Sequence, residues 1–170
     1  MANLFQNPAS KNTHLILKAR ALTDPKIAAW TIQRFINQGV DASRIECRGW
    51  SSRNDLLAQY ADVDLALDPF PFTGGLTTFD ALYMGTPVIT LRGSSAVARQ
   101  GASILKAAGL EEFITNSIED YIDKAIQISQ AKPFLRIDIR HCLASSPLSD
   151  AKRYAQDVTN ALYEIYANMT

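Results

Sequence analysis

The sequence has few of the residues that build metal sites, disulfide frameworks or membrane spans. Only two of its 170 residues are cysteines and two are histidines. Cys47 and Cys142 lack C-x-x-C spacing, and His14 and His141 stand far apart without an H-x-x-H pattern, so we expect no zinc site and no redox motif. Two free thiols and no signal peptide indicate a reducing compartment, and we predict a cytoplasmic protein.

The chain also lacks an excess of charge of either sign. Its 17 basic and 17 acidic residues cancel, so no net field draws it to nucleic acid or to an anionic membrane, and neither is expected as a partner. A composition of 47% apolar and 20% charged residues is that of an ordinary globular protein, and the length fits one domain.

Several common functional motifs are missing. No G-x-G-x-x-G follows the first strand, no P-loop is present, and no serine has a G-x-S-x-G context. Asp62-Val63-Asp64 resembles the D-x-D motif that binds metal and sugar in some transferases, but it leads into a strand whose side chains alternate between faces. We therefore assign no metal and no catalytic nucleophile.

The predicted elements alternate between strands and helices. Strands are expected near residues 14–18, 44–49, 63–67 and 87–91, with a helix after each of them, and helices dominate after residue 117, with a break at Pro133. Such alternation predicts an α/β fold with a doubly wound parallel sheet and C-terminal helices over residues 14–170. Residues 1–13 carry no predicted element and are interpreted as a frayed start or a cut in a longer chain.

The two tryptophans receive different interpretations. Trp30 shares a helical spacing with Ile27 and Phe35, which favours a core position. Trp50 lies in the loop after a strand, and a core position and a ligand-facing position are equally open for it.

Residues 63–88 carry the strongest functional signal. A buried strand runs into a proline-rich turn, Gly74-Gly75 allow the backbone to approach a ligand, and a helix starts near Leu76 or Thr77. The free amides and the positive end of the helix dipole would then face an anion such as phosphate. Thr78 belongs to the same hydroxyl-rich helix start, although a plain strand-to-helix turn with a hydroxyl cap would explain these residues as well.

Asp80, one helical turn later, strengthens the ligand interpretation. Its carboxylate could accept hydrogen bonds from two vicinal hydroxyls, as acidic residues do for ribose in other nucleotide-binding folds. Base and sugar contacts are needed, because a helix dipole contributes only about 0.3–2 kcal/mol per charge, whereas micromolar binding requires about 8 kcal/mol.

At these residues the chain resembles the C-terminal half of the catalytic region of the O-linked N-acetylglucosaminyltransferase family, which includes the SPINDLY-like proteins. The resemblance rests on residues 64–72 and 74–88 and on later pieces at residues 102–105, 109–110 and 146–148, and it extends over about residues 10–168. It implies a Rossmann-like lobe of a two-lobed GT-B glycosyltransferase that binds the UDP of a UDP-sugar, with UDP-GlcNAc as the expected donor.

The resemblance also implies roles for individual residues. Gly75, Leu76 and Thr77, flanked by Gly74 and Thr78, would contact the diphosphate, and Asp80 would hold the ribose hydroxyls. Ser51 and Arg53 would flank the uracil. The family often has a hydroxyl at the position of Leu76, and many members have a histidine at that of Leu56, which would lie at the donor site.

The family transfers sugar with inversion and without an essential metal or other cofactor, so none is expected here. The resemblance places the protein or peptide acceptor, the tetratricopeptide repeats and the other catalytic residues upstream, so this lobe holds no catalytic residue and is expected to be inactive alone. A non-catalytic nucleotide-sugar-binding or interaction module is the alternative, and a nucleotide-sugar epimerase is the third possibility.

Overall fold

The computed structural model describes residues 2–130 and 136–169. In chain order its elements are α1 (Ala2–Gln6), β1 (Leu15–Lys18), α2 (Pro25–Ile36), β2 (Ile45–Arg48), α3 (Arg53–Ala58), β3 (Ala66–Leu67), α4 (Leu76–Tyr83), β4 (Val88–Leu91), α5 (Gln100–Ala107), β5 (Ile114–Thr115), α6 (Ile118–Gln130), α7 (Arg136–Ser145) and α8 (Ala151–Ala167). Strands and helices alternate up to β5, and the elements described after β5 are helical, as predicted for the residues after 117. The short strand β5 was not predicted from the sequence. Pro133 lies outside the described residues.

All strand pairs in the described part of the chain are parallel. β1 pairs with β2, with Leu15 opposite Ile45. β4 lies between β3 and β5. The two groups of strands are separated by a cavity of about 680 Å³ lined by β1 and by residues 64–67. Parallel strands joined by helices confirm the predicted α/β fold class.

The core is centred on β4 and the helices on either side of it in the chain. Four large side chains there are at most 1% exposed: Leu82 of α4, Ile89 of β4, Leu105 of α5, and Phe113 in the segment between α5 and β5. Because parallel strands point the same way, the segments after β3 and β4 begin at one edge of this core. The predicted functional turn starts there, directly after β3.

Helix boundaries follow the local signals in the sequence. Asp24 caps α2 by accepting a hydrogen bond from the Lys26 amide, and Ser52 caps α3 through the Asp55 amide. Gly85 ends α4 with a φ of +80°. A Cβ at Gly85 would lie 2.5 Å from the Arg136 carbonyl oxygen, so the glycine also permits the close packing of α7.

The first residues differ from the prediction that no element forms there. Residues 2–6 form α1, and the Leu4 and Phe5 side chains of that helix are 7% and 5% exposed. The Arg44 guanidinium donates hydrogen bonds to the carbonyl oxygens of Phe5 and Thr13. The segment is polar on average, but two neighbouring apolar residues and one arginine from a distant turn are enough to attach it to the core.

The interpretation of Trp30 as a core residue is wrong. Trp30 is 62% exposed, and the Arg34 guanidinium carbon lies 4.9 Å from the centroid of its ring. The half-buried positions of α2 are 28, 31, 32 and 35, which share one helical face. Trp30 lies about 200° around the helix from position 28, at 100° per residue, and so points away from that face.

Replacing Phe5 with alanine tests the attachment of the first residues. Because the ring is buried, we expect Phe5→Ala to lower the free energy of unfolding by about 3–5 kcal/mol, the range for a buried phenylalanine. Urea denaturation measures the change, and Lys11→Ala, an exposed substitution in the same segment, serves as the control. Equal stability of the two variants would mean that residues 2–13 do not pack on the core.

Candidate functional site

The candidate site begins with the turn between β3 and α4, residues 69–75, which we call the glycine turn. A Cβ at Gly74 would lie 2.7 Å from the hydroxyl oxygens of both Thr77 and Thr78, so only glycine fits there. A Cβ at Gly75 would meet one described atom, Gln100 Oε1, at an ordinary 3.5 Å. Packing within the described residues therefore explains why position 74 is a glycine. At position 75 the same residues leave room for a side chain.

The start of α4 presents unbonded amides. The backbone N–H groups of Gly75, Leu76 and Thr77 have no acceptor within the described part of the chain, and no side chain caps the helix. Leu76 is 69% exposed and Thr77 is also exposed, whereas Thr78 is buried. Free amides at an open helix start carry a partial positive charge and can bind an anion directly.

Asp80 lies one turn into α4 and makes a bidentate ion pair with Arg53. Arg53 Nη1 lies 2.5 Å from Asp80 Oδ2, and Nη2 lies 2.6 Å from Oδ1. The carboxylate is buried, with its side chain 5% exposed, while that of Arg53 is 53% exposed. The arginine thus fixes the carboxylate that was assigned to the ribose, a contact that the sequence did not predict.

Tyr60 joins the same group of residues. It follows α3, and its hydroxyl donates a hydrogen bond of 3.3 Å to the Thr77 carbonyl oxygen. Burial raises the pKa of this phenol above its ordinary value. Nothing in the local sequence pattern shows that Tyr60 reaches the start of α4.

A second group surrounds an open depression of about 610 Å³ beside α3. Trp50, Ser51 and Gln59 line it, and Trp50 is 67% exposed. Ser51 Oγ and Gln59 Oε1 are buried without a hydrogen-bond partner among the described residues. Buried polar atoms normally have partners, so these two are exceptions within the described part of the chain. Gln59 is a residue that the sequence analysis missed.

The remaining predicted residue, Leu56, is not part of either group. Its side chain is half-buried and lines the cavity between β1 and residues 64–67. Gln59 and Tyr60 also line this cavity, but no residue of the glycine turn does. Among the described residues no hydrogen bond joins Ser51 or Leu56 to the glycine turn. The structure therefore brings together Gly74, Gly75, Leu76, Thr77, Thr78, Asp80 and Arg53, and it leaves Ser51 in the depression and Leu56 in the cavity.

A buried carboxylate lies beneath the glycine turn. Asp68 follows β3 and is 4% exposed. It accepts hydrogen bonds from the Gly74 amide at 2.6 Å and from the Thr90 hydroxyl at 2.7 Å. Burial raises its pKa above the ordinary 3.8, and the two hydrogen bonds oppose that rise.

The first aspartate of the D-x-D segment, Asp62, forms an ion pair with an arginine. The Arg48 guanidinium lies 2.8 Å from Asp62 Oδ2, and Asp64 is exposed. The described ranges contain no cluster of three or more histidine, cysteine, aspartate or glutamate residues that could hold a metal ion. None of the helices in the same ranges is both long and apolar enough to cross a membrane.

These features define a class: an α/β lobe of parallel strands joined by helices, with an open helix start behind a glycine turn. Residues 12–158 match the model of glycosyl transferase family 41, so the chain belongs to that family. It is 30% identical over 154 residues to a "Probable UDP-N-acetylglucosamine--peptide N-acetylglucosaminyltransferase SPINDLY" of Eustoma exaltatum subsp. russellianum, over 88% of this chain and 17% of that protein.

Two further similarities agree with this family. A UDP-N-acetylglucosamine--peptide N-acetylglucosaminyltransferase of Caenorhabditis elegans is 26% identical over 77% of this chain and 12% of its own length. A solved structure of a Thermobaculum terrenum O-GlcNAc transferase mutant superposes with a TM-score of 0.91 at 32% identity, covering 98% of this chain and 32% of that one. The predicted family and lobe are confirmed, and the chain spans only a fraction of the length of these relatives.

Replacing Asp68 with asparagine tests the buried carboxylate. Burial raises the pKa of Asp68 in the native state, so the native state binds this proton more tightly than the unfolded state does. The protonated carboxyl therefore adds to the free energy of unfolding. This contribution is complete below pH 3.8 and is lost as the pH rises through the raised native pKa. Asparagine does not titrate, so we expect Asp68→Asn to become more stable relative to wild type as the pH rises from 3.8 through the native pKa. The expected gain is about 1.4 kcal/mol for each pKa unit by which the native value exceeds the unfolded one. Urea denaturation from about pH 4 to pH 7 measures this difference, and a difference independent of pH would contradict the assignment.

Proposed function

We propose that this chain is the UDP-sugar-binding lobe of an inverting protein O-glycosyltransferase, with UDP-GlcNAc as donor. The observation that carries the proposal is the pairing of three unbonded amides at the start of α4 with a fixed carboxylate one turn later in the same helix. The relatives, whose printed names are UDP-N-acetylglucosamine--peptide transferases, support the same donor.

The diphosphate would bind at the glycine turn. The amides of Gly75, Leu76 and Thr77 would donate to its oxygens, and Leu76 can do so although its side chain is apolar, because only its backbone takes part. In sugar transfer the negative charge on the leaving diphosphate grows as the bond to the sugar breaks. Amides that are already in position stabilise that charge without reorganising.

The nucleoside would extend from Asp80 towards the depression beside α3. The Asp80 carboxylate would accept hydrogen bonds from the two ribose hydroxyls while Arg53 keeps it oriented. Trp50 offers an exposed aromatic face to a base, and Ser51 and Gln59 line the same depression. These groups would supply the binding energy that the helix dipole alone cannot.

The acceptor and the sugar-activating groups would belong to other parts of the full protein. The chain spans 17% of the length of its SPINDLY relative, and its described residues offer no nucleophile with an adjacent general base at the glycine turn. We propose that a protein or peptide binds outside this lobe, that no metal or other cofactor takes part, and that the protein is cytoplasmic, in keeping with the free thiols of Cys47 and Cys142.

A non-catalytic nucleotide-sugar-binding module is the second candidate. The exposed Leu76 at the mouth of the site and the half-buried Leu56 support it, because both stand where the family resemblance implies polar groups. Both candidates require UDP binding at the glycine turn, and they differ in whether the full-length protein transfers sugar.

Calorimetric titration of the 170-residue chain with UDP tests the proposed site. We expect Asp80→Ala to weaken binding at least tenfold, about 1.4 kcal/mol, because the ribose hydroxyls lose their acceptor while Arg53 is exposed enough to be solvated. Asp64→Ala, which removes an exposed carboxylate away from the glycine turn, is the control and should bind like wild type. Absence of heat with UDP, or equal affinities of the two variants, would refute the proposal.

A further inference from the structure

We infer that Asp68 is the positioning residue that holds the glycine turn in its diphosphate-binding form, acting through Gly74 and Thr90. This inference rests on the proposed function, since it concerns how the same site is kept in shape. Asp68 does not reach the open side of the turn and is not assigned a contact with the ligand.

The geometry links three segments through one carboxylate. Oδ1 accepts from the amide of Gly74, the residue just before the unbonded amides, and Oδ2 accepts from the hydroxyl of Thr90 on β4. The Asp68 amide donates to the Ile89 carbonyl at 2.9 Å, and its carbonyl accepts from the Tyr121 hydroxyl at 3.0 Å. The side chain and the backbone of Asp68 are thus both hydrogen-bonded, and its carboxylate joins the turn to β4.

The neighbouring helix is shaped around this carboxylate. A Cβ at Gly101 of α5 would lie 2.3 Å from Asp68 Oδ2 and 2.7 Å from Thr90 Oγ1, so a glycine is needed where α5 passes the pair. The Gly101 amide donates to the Thr73 hydroxyl at 3.2 Å, and that hydroxyl donates to the Val97 carbonyl at 2.9 Å. The inner side of the turn is therefore fully occupied.

A carboxylate suits this position because it can accept two hydrogen bonds in different directions. It satisfies the Gly74 amide from inside, while the next three amides have no partner among the described residues and face outward. Without it, the half-buried Gly74 amide would lose its partner, and the turn could relieve this by rotating a peptide that belongs to the binding site. A stable fold and a correctly shaped turn are therefore separate properties, which an experiment can tell apart.

Two matched threonine substitutions separate them. Thr90→Val removes the donor to Asp68, while Thr115→Val removes an equally buried hydroxyl that donates instead to the Thr90 carbonyl at 2.9 Å. Affinities for UDP and for uridine are measured by NMR titration of the whole chain. We expect Thr90→Val to weaken UDP binding about threefold to tenfold, within the range for the net contribution of one ordinary hydrogen bond, with uridine binding unchanged.

The remaining variants decide between positioning and plain destabilisation. Asp68→Leu should lose UDP affinity by about tenfold or more relative to uridine, whereas Asp68→Asn should largely restore it, because the amide oxygen still accepts from Gly74. Thr115→Val should change neither affinity. Equal effects of Thr90→Val and Thr115→Val on the UDP-to-uridine ratio would overturn the inference while leaving the proposed function intact. A wild-type chain that binds neither compound would overturn both.

Discussion

The two hydrogen bonds accepted by Asp68 are the interaction on which the rest of the site depends. An anion-binding turn has conflicting requirements, since its amides must stay free for the ligand while the backbone that carries them stays fixed. Asp68 meets both by binding the last amide before the open ones and by attaching it to Thr90 in the most buried strand. Gly74 and Gly101 are the small residues that allow these segments to come so close.

The charges around the turn are arranged so that carboxylates do not repel an anion. Asp80 is neutralised by a bidentate arginine, and Asp68 lies behind the turn, where its oxygens face the Gly74 amide and the Thr90 hydroxyl. The positive potential then comes from the backbone at the start of α4, where a helix contributes a partial charge without a long flexible side chain. A neutral chain can in this way hold a local anion site, consistent with 17 charges of each sign.

The fold and the contiguous part of the site, residues 74–80, could be predicted from the sequence because both depend on local patterns. Strand–helix alternation, capping residues and the glycine pair are each readable within a few positions, and Gly74 to Asp80 indeed lie together. Contacts that join distant segments were missed: Arg53 and Asp80 are 27 residues apart, and Asp68 and Thr90 are 22 apart. No spacing rule predicts such pairs, and a raised pKa at Asp68 follows only from its burial.

Trp30 illustrates a different limit. Apolar residues at positions 27 and 30 fit one helical face, and residues at 28, 32 and 35 fit a neighbouring one, so periodicity alone cannot decide which of them packs inward. The prediction that no element forms at the N-terminus was wrong for a related reason. The average polarity of these first residues hides Leu4 and Phe5, which become buried only because α1 packs against α6.

The short helix α3 connects the two halves of the proposed ligand site. Arg53, its first residue, contacts Asp80, and Tyr60, just after its end, contacts the Thr77 carbonyl, so α3 is bonded at both ends to the opening turns of α4. Gln59, between those contacts, lines the depression. A base in the depression and a diphosphate at the start of α4 would therefore act on one connected unit. Substitutions at the two ends should not be energetically independent, because residues that share a network couple.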